Sequence, residues 1–191
     1  MREEAPPEDR DRQARVLRGA ALFYAMLTAS SLFIGLMTEN ALFWNERPKQ
    51  LTDVAAQFGL GLLLGAAIIV TSNVLTRFAR WGQSFERMVR ELFGPLAWSD
   101  CFFLALLSSL GEELFFRGAL QPLLGLYPTS LLFALAHWPR NRELLPWTIM
   151  AGLLGLGFGY MSEASGQLAC PIAAHFLVNF VNLRLITQRS A

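Results

Sequence analysis

Residues 54–76 read VAAQFGLGLLLGAAIIVTSNVLT, 23 residues in succession without a charge. As an α-helix rising about 1.5 Å per residue, such a run is long enough to cross a hydrocarbon layer of roughly 30 Å. Three more runs are comparable: 20 uncharged residues at 19–38, 19 at 144–162 and 20 at 164–183. None alternates with the period of two that a membrane barrel needs. Because every backbone group must find an internal partner in lipid, the helix is what remains. The expected fold is all-α, a polytopic transmembrane helical bundle.

Composition agrees. The 191 residues are 53% hydrophobic and only 16% charged, with a mean hydropathy of +0.37, which sets aside an ordinary soluble domain. Arginine supplies 15 of the 16 basic residues against 15 acids, a formal net charge of +1. No basic surplus is left for nucleic acid, so the expected surroundings are the lipid bilayer and no nucleic-acid partner. The apolar run after the charged N-terminal stretch is too long for a signal-peptide core and reads as an uncleaved tail followed by a first span. Cys101 and Cys170 sit at the edges of apolar segments and are expected as free, buried thiols.

Working outward, residues 1–16 form a polar tail, expected as a disordered or surface-lying arm. Residues 17–99 hold two spans, 17–38 and 52–76, joined by a loop whose Trp44 and Pro48 suit an interface. Gly61 and Gly65 present a small-residue face for close helix packing. Residues 77–91, RFARWGQSFERMVRE, place Phe78, Trp81, Phe85, Met88 and Val89 at helical spacing apart from the arginines, an amphipathic helix at the membrane surface. Residues 100–184 contain the third span at 100–120, capped by Ser99 or Asp100, a short apolar stretch at 129–138, and spans at 144–162 and 165–183 separated by a Ser162–Glu163 turn. Residues 185–191 are a cytoplasmic tail. With about six crossings and both termini cytoplasmic, 13 of the 16 basic residues lie inside, against Arg47 and Lys49 outside and Arg117 within a span, as the positive-inside rule requires.

An ionisable side chain within a span is a functional hypothesis by default. The third span carries three: Glu112, Glu113 and Arg117. Glu113 and Arg117 are four apart with the acid N-terminal, the order that favours a pair on one helix face. Glu112 points about 100° away on an α-helix and has no such partner, so its partner must come from another helix. The two histidines of the chain are His137, in FALAHW, and His175, in AAHFLVN. His175 shares a helix face with Asn179, as Phe133 does with His137. Gathered in a bundle, Glu112, His137, His175 and Asn179 form a polar cluster inside apolar walls, suited to acid–base work on water.

In this order, Glu112-Glu113-x-x-x-Arg117, Phe133-x-x-x-His137 and His175-x-x-x-Asn179 resemble the three signature motifs of the CPBP intramembrane proteases, the type II CAAX prenyl endopeptidases and bacteriocin-processing enzymes also called Abi. The resemblance covers residues 100–183. It implies that Glu112 with His137 activates a water against a peptide carbonyl, that His175 and Asn179 face the oxyanion, that Glu113 and Arg117 orient the helix, and that Phe133 packs beside the site. It implies an intramembrane endopeptidase acting on a membrane-anchored protein or peptide: a C-terminal sorting signal, by analogy of the myxosortase type, a CAAX-like terminus or a leader. The arginine-rich composition suggests a GC-rich bacterial genome and hence the bacterial inner membrane. The expected chemistry uses no cofactor, with Zn²⁺ on Glu112, His137 and His175 as the alternative.

Other readings use the same residues. Cys170 and His175 are five apart and so diverge on a helix, a poor nucleophile–base pair. A proton-coupled carrier also places Glu and His in spans, and a non-catalytic membrane partner or immunity protein would retain the fold without the chemistry.

Overall fold

Each charge-free run folds as the helix that its length predicts. The computed structural model describes residues 7–38, 50–139 and 141–188. In order, the elements are α1 (Pro7–Met37), α2 (Leu51–Phe78), α3 (Arg80–Phe93), α4 (Trp98–Glu112), a π-helical segment (Glu113–Leu120), α5 (Gln121–Leu124), α6 (Leu126–Ala136), a 3₁₀ turn (Arg142–Leu144), α7 (Leu145–Ser165) and α8 (Ala169–Gln188). Among the described residues there is no strand. The interfacial loop residues Trp44 and Pro48, the outside charges Arg47 and Lys49, and Arg140 lie outside the described residues, as do residues 1–6 and 189–191.

Four helices are long and apolar enough to cross a membrane, within 10–37, 51–78, 142–165 and 169–188, and a fifth arises if the bent pair Arg80–Phe93 and Trp98–Leu124 is one span. The sixth crossing expected from the sequence falls short because α6 has 11 residues, about 16 Å of helix. Two other boundaries move. The polar residues from Pro7 onward are not a separate arm but the first turns of α1, continuous with the span because nothing between them and Leu17 breaks a helix. The cap of α4 is Ala97, whose N–H donates to Asp100 Oδ2 at 3.3 Å, so Asp100 acts from inside the first turn. Likewise α7 runs through Ser162 and Glu163 to a left-handed Gly166, and Glu163 accepts a hydrogen bond from Gln121 Nε2 at 3.0 Å.

Helix α8 is the hub, packing against α2, α4, α7 and α3. Its contact with α2 is a backbone contact: a Cβ on Gly61 would lie 2.3 Å from the Cys170 carbonyl oxygen, and one on Gly65 2.9 Å from that of Ala174. The small-residue face thus does what its spacing predicts, since only glycine admits so close an approach. Cys101 and Cys170 are free and buried. Apolar side chains such as Leu22, Phe33, Leu63 and Val70 project outward from α1 and α2, which is lipid-facing surface in a membrane protein.

Helix α3 crosses at 109° to the segment that follows it. Its stripe Trp81, Phe85, Val89 and Phe93 lines a cavity, while Met88 is exposed; Phe78, also exposed, ends α2 instead, because extended backbone at Ala79 breaks the expected helix over 77–91. Its apolar face is therefore shared between the bundle and the outside. Ser84 Oγ donates to Glu143 Oε1 at 2.7 Å, Phe85 stacks on Trp147 with centroids 4.3 Å apart, and Gln13 Nε2 donates to the carbonyl of Phe93 at 2.7 Å. These tie α3 to the α7 end and to α1.

Arg117 is buried and draws three elements together. Nη1 donates to Glu113 Oε1 at 3.0 Å, Nη2 donates to the Gly155 carbonyl of α7 at 3.1 Å, and the guanidinium lies 4.4 Å from the ring centroid of Phe133 on α6. Such a pair is retained at a desolvation cost, but removing one partner strands a buried charge at about 3–5 kcal/mol.

Two measurements of thermal unfolding in detergent micelles follow. Gly61→Val is expected to lower stability by about 1–3 kcal/mol through overpacking against α8, whereas Gly59→Val, where a Cβ meets nothing within 4 Å, changes it little. Arg117→Met is expected to cost the full stranded-charge penalty, and adding Glu113→Gln to it should restore part of the loss.

Candidate active site

Glu112 ends α4 and Glu113 begins the π-helical segment, so adjacent carboxylates stand at a change of helical winding, a feature frequent at functional sites. Glu113 is fully buried. Its Oε1 accepts from Arg117 and also from His175 Nδ1 at 2.8 Å. On α6, His137 Nδ1 lies 2.8 Å from the Phe133 carbonyl oxygen. A carbonyl cannot donate, so Nδ1 carries the proton and the neutral ring presents a bare Nε2. The carboxylate of Glu113 imposes the same tautomer on His175.

Both bare nitrogens face one atom. His137 Nε2 and His175 Nε2 each lie 3.9 Å from Glu112 Oε2, and that oxygen is buried with no hydrogen-bond partner among the described residues. These gaps are too long for direct hydrogen bonds and suit a bridging molecule with two donors. One turn beyond His175, Asn179 Nδ2 donates to Ser108 Oγ at 2.9 Å, which fixes the amide and leaves its second N–H to spend. Aromatic walls hold the imidazoles: Phe158 stacks on His175 with centroids 5.4 Å apart, Phe133 lies 4.5 Å from His137, and Trp147 is 6.1 Å from it.

These residues line a cavity of about 570 Å³, which also receives Tyr24 from α1 and Trp81 and Phe85 from α3. Its size is that of a small-ligand site. Tyr24 interacts with the Glu112 carboxyl, and α1 comes this near because Gly111 has no side chain: a Cβ there would stand 3.1 Å from the Tyr24 carbonyl oxygen.

All seven residues singled out from the sequence therefore converge. Glu112 finds its partners on two other helices, and Glu113 pairs with Arg117 as its spacing requires. The second bond of Glu113, to His175, was not legible from spacing within one helix. Ser108 was also missed, although it stands four residues before Glu112 and so on the same face. Tyr24 gave no signal beyond being a tyrosine in an apolar run. His175 directs its ring at Glu112 and Glu113, so the Cys170–His175 alternative gains no geometric support.

For zinc, the donor set is chemically apt, a carboxylate oxygen and two imidazole Nε2 atoms with outer nitrogens held. Two donors each about 2.0–2.2 Å from a tetrahedral zinc ion stand about 3.4 Å apart, somewhat closer than the 3.9 Å that separates each imidazole from Glu112, and among the described residues no three His, Cys, Asp or Glu side chains are grouped to hold a metal ion.

Comparison with known proteins gives matches over this part of the chain. Residues 94–181 match the family described as "Type II CAAX prenyl endopeptidase Rce1-like". A curated relative, "Uncharacterized protein YpbD" of Bacillus subtilis (strain 168), is 35% identical over 94 residues, 48% of this chain and 48% of that protein. The chain thus aligns with about half the length of that relative. No solved structure gives a significant match. Every one of the seven converging side chains falls within the matched segment, and over that segment, less than half of its length, the chain is similar to the Rce1-like family of type II CAAX prenyl endopeptidases.

Proposed function

We propose that this protein is an intramembrane endopeptidase that hydrolyses a peptide bond in a membrane-anchored precursor, with Glu112 as the general base. The observation that carries the reading is the unpartnered Oε2 of Glu112, set 3.9 Å from two imidazole nitrogens that are both acceptors. A water donating one hydrogen to Glu112 and the other to a bare Nε2 has its lone pairs turned away from both, toward a substrate carbonyl. The family match over residues 94–181 supports peptide-bond chemistry, and the four apolar helices support a membrane location.

The step balances as follows. The water oxygen bonds to the carbonyl carbon while its proton passes to Glu112. The tetrahedral oxyanion accepts from the Asn179 N–H that Ser108 does not use. Collapse breaks the C–N bond as Glu112 returns the proton to the leaving nitrogen, giving a carboxylate and an amine. His137 orients the water from the other side and takes its second proton as the product carboxylate forms. His175 donates to the oxyanion from Nε2 only once it carries a second proton, so Asn179 is the donor that is ready in both states. Oxyanion donors of this kind contribute about 10²–10³ in rate, and a positioned base about 10²–10⁴. As proposed, this chemistry needs no metal.

The substrate class follows from location and from the family: a bacterial membrane-associated precursor with a C-terminal sorting signal, a CAAX-like terminus or a leader peptide. The inner membrane is the proposed site.

Mass-spectrometric mapping of protein termini in membrane and secreted fractions tests this reading in cells carrying wild type or Glu112→Gln at matched expression. The variant keeps shape and removes the base, so a small set of precursors should accumulate uncut, and coincident termini in the two strains sink the protease reading. With purified enzyme, Asn179→Ala should lower kcat about 10²–10³-fold with little change in KM. Treatment with 1,10-phenanthroline should leave the rate unchanged, whereas a loss restored by added Zn²⁺ would replace the metal-free mechanism.

A further inference from the structure

His175 is the first member of a polar row on α8. Asn179 follows four residues later and Asn182 seven, positions that share one helix face. All three line the cavity, together with Asn73 of α2. Asn73 Nδ2 donates to Asn182 Oδ1 at 3.4 Å, whereas the N–H groups of Asn182 itself make no hydrogen bond among the described residues. Unspent amide donors beside a largely apolar cavity at membrane depth carry a free-energy cost. A role as interhelix glue accounts poorly for them, because α2 and α8 are already locked by the contacts of Gly61 and Gly65.

Distance and chemistry suggest what the row meets. Seven residues of helix advance about 10.5 Å, the reach of about three residues of extended chain. A peptide with its scissile carbonyl between Glu112 and His175, running along α8, brings the peptide group about three residues away to Asn182. An unfolded strand in an apolar cavity must find a partner for each backbone group, and a primary amide supplies both donor and acceptor. A terminal carboxylate fits less well: among the described residues no Lys or Arg lines the cavity, while Glu86 and Glu112 do.

Resting on the endopeptidase reading above, we propose that Asn182, braced by Asn73, is a specificity residue that binds an internal peptide group of the substrate about three residues from the scissile bond. The protein would then favour substrates whose chain continues past that point.

The test uses a fluorescent farnesyl-cysteine peptide with eight residues on either side of the cysteine, and a series in which each backbone amide is replaced by an ester. Binding is read by anisotropy on the Glu112→Gln protein in micelles, which needs no chemistry, and hydrolysis is read on wild type with the cut mapped by mass spectrometry. One ester position, about three residues from the cut, should weaken binding about tenfold. Adding Asn182→Leu should weaken the parent peptide by a similar factor and erase the ester penalty, and in otherwise wild-type enzyme it should raise KM with kcat within about twofold. Asn182→Thr keeps a polar donor and acceptor in the form of a hydroxyl, guards against loss of fold, and should recover part of the binding. Unchanged affinity in the folded leucine variant, or an ester penalty that persists in it, overturns the proposal. A single ester-sensitive position erased by Asn182→Leu supports it even where wild type leaves the peptide uncut, an outcome that removes the protease reading instead.

Discussion

The rest of the structure depends on one buried carboxylate. Glu113 Oε1 is held by Arg117 from its own segment and by His175 from α8, and Arg117 passes the connection on to Gly155 of α7 and the face of Phe133 on α6. A single unit of negative charge thus joins the π-helical segment to three other helices. In water such a node would be weakly held, but in an apolar surround its partners are costly to lose, so the helices are fixed in register rather than merely packed. The carboxylate also sets the tautomer of His175. Packing and reactivity are therefore specified by the same atom.

The neighbouring carboxylate keeps one oxygen, Glu112 Oε2, without a hydrogen bond for the opposite reason. Glu112 is one residue before Glu113, at the end of regular α-helix, and the change to wider winding starts immediately after it. Arg117 is spent on Glu113, and the two imidazoles stop 3.9 Å short of Glu112 Oε2. Each histidine has its outer nitrogen committed to a separate partner, so neither can swing closer without breaking a bond of 2.8 Å. The gap is thereby preorganised, which is the condition under which electrostatic and acid–base terms contribute most to a rate.

Much of this was legible from residue order. Charge-free length predicted helices, the spacing of Glu113 and Arg117 predicted their pair, and the absence of a local partner for Glu112 predicted that other helices must supply one. What sequence could not give was anything set by the crossing of helices. The bond from Glu113 to His175 spans 62 positions, and the approach of Tyr24 depends on Gly111 having no side chain. Periodicity also assumes one winding throughout, so the π-helical stretch was invisible. The apolar stretch at 129–138 read from the sequence as short for a span, and its helix has 11 residues, while four helices, or five with the bent pair as one, are long and apolar enough to cross.

The proposed hydrolysis within a membrane has two requirements that oppose each other. Water and an unfolded strand must be accommodated, yet the surroundings must stay apolar enough for a lone carboxylate and two neutral imidazoles to act strongly. The cavity reconciles them by segregation. Its polar atoms lie in a row on α8 and its facing positions on α2 and α4, while Phe133, Phe158, Trp147 and the stripe on α3 supply the apolar walls. A strand laid along that row keeps its backbone partnered without opening the walls to bulk water. The amphipathic α3, joined to α2 at Ala79 in extended conformation and to α4 through Gly94 at φ +62°, forms the one wall that belongs equally to the cavity and to the surface. Its hydrogen bond from Ser84 to Glu143 and its stacking on Trp147 bring that wall within one aromatic ring of His137.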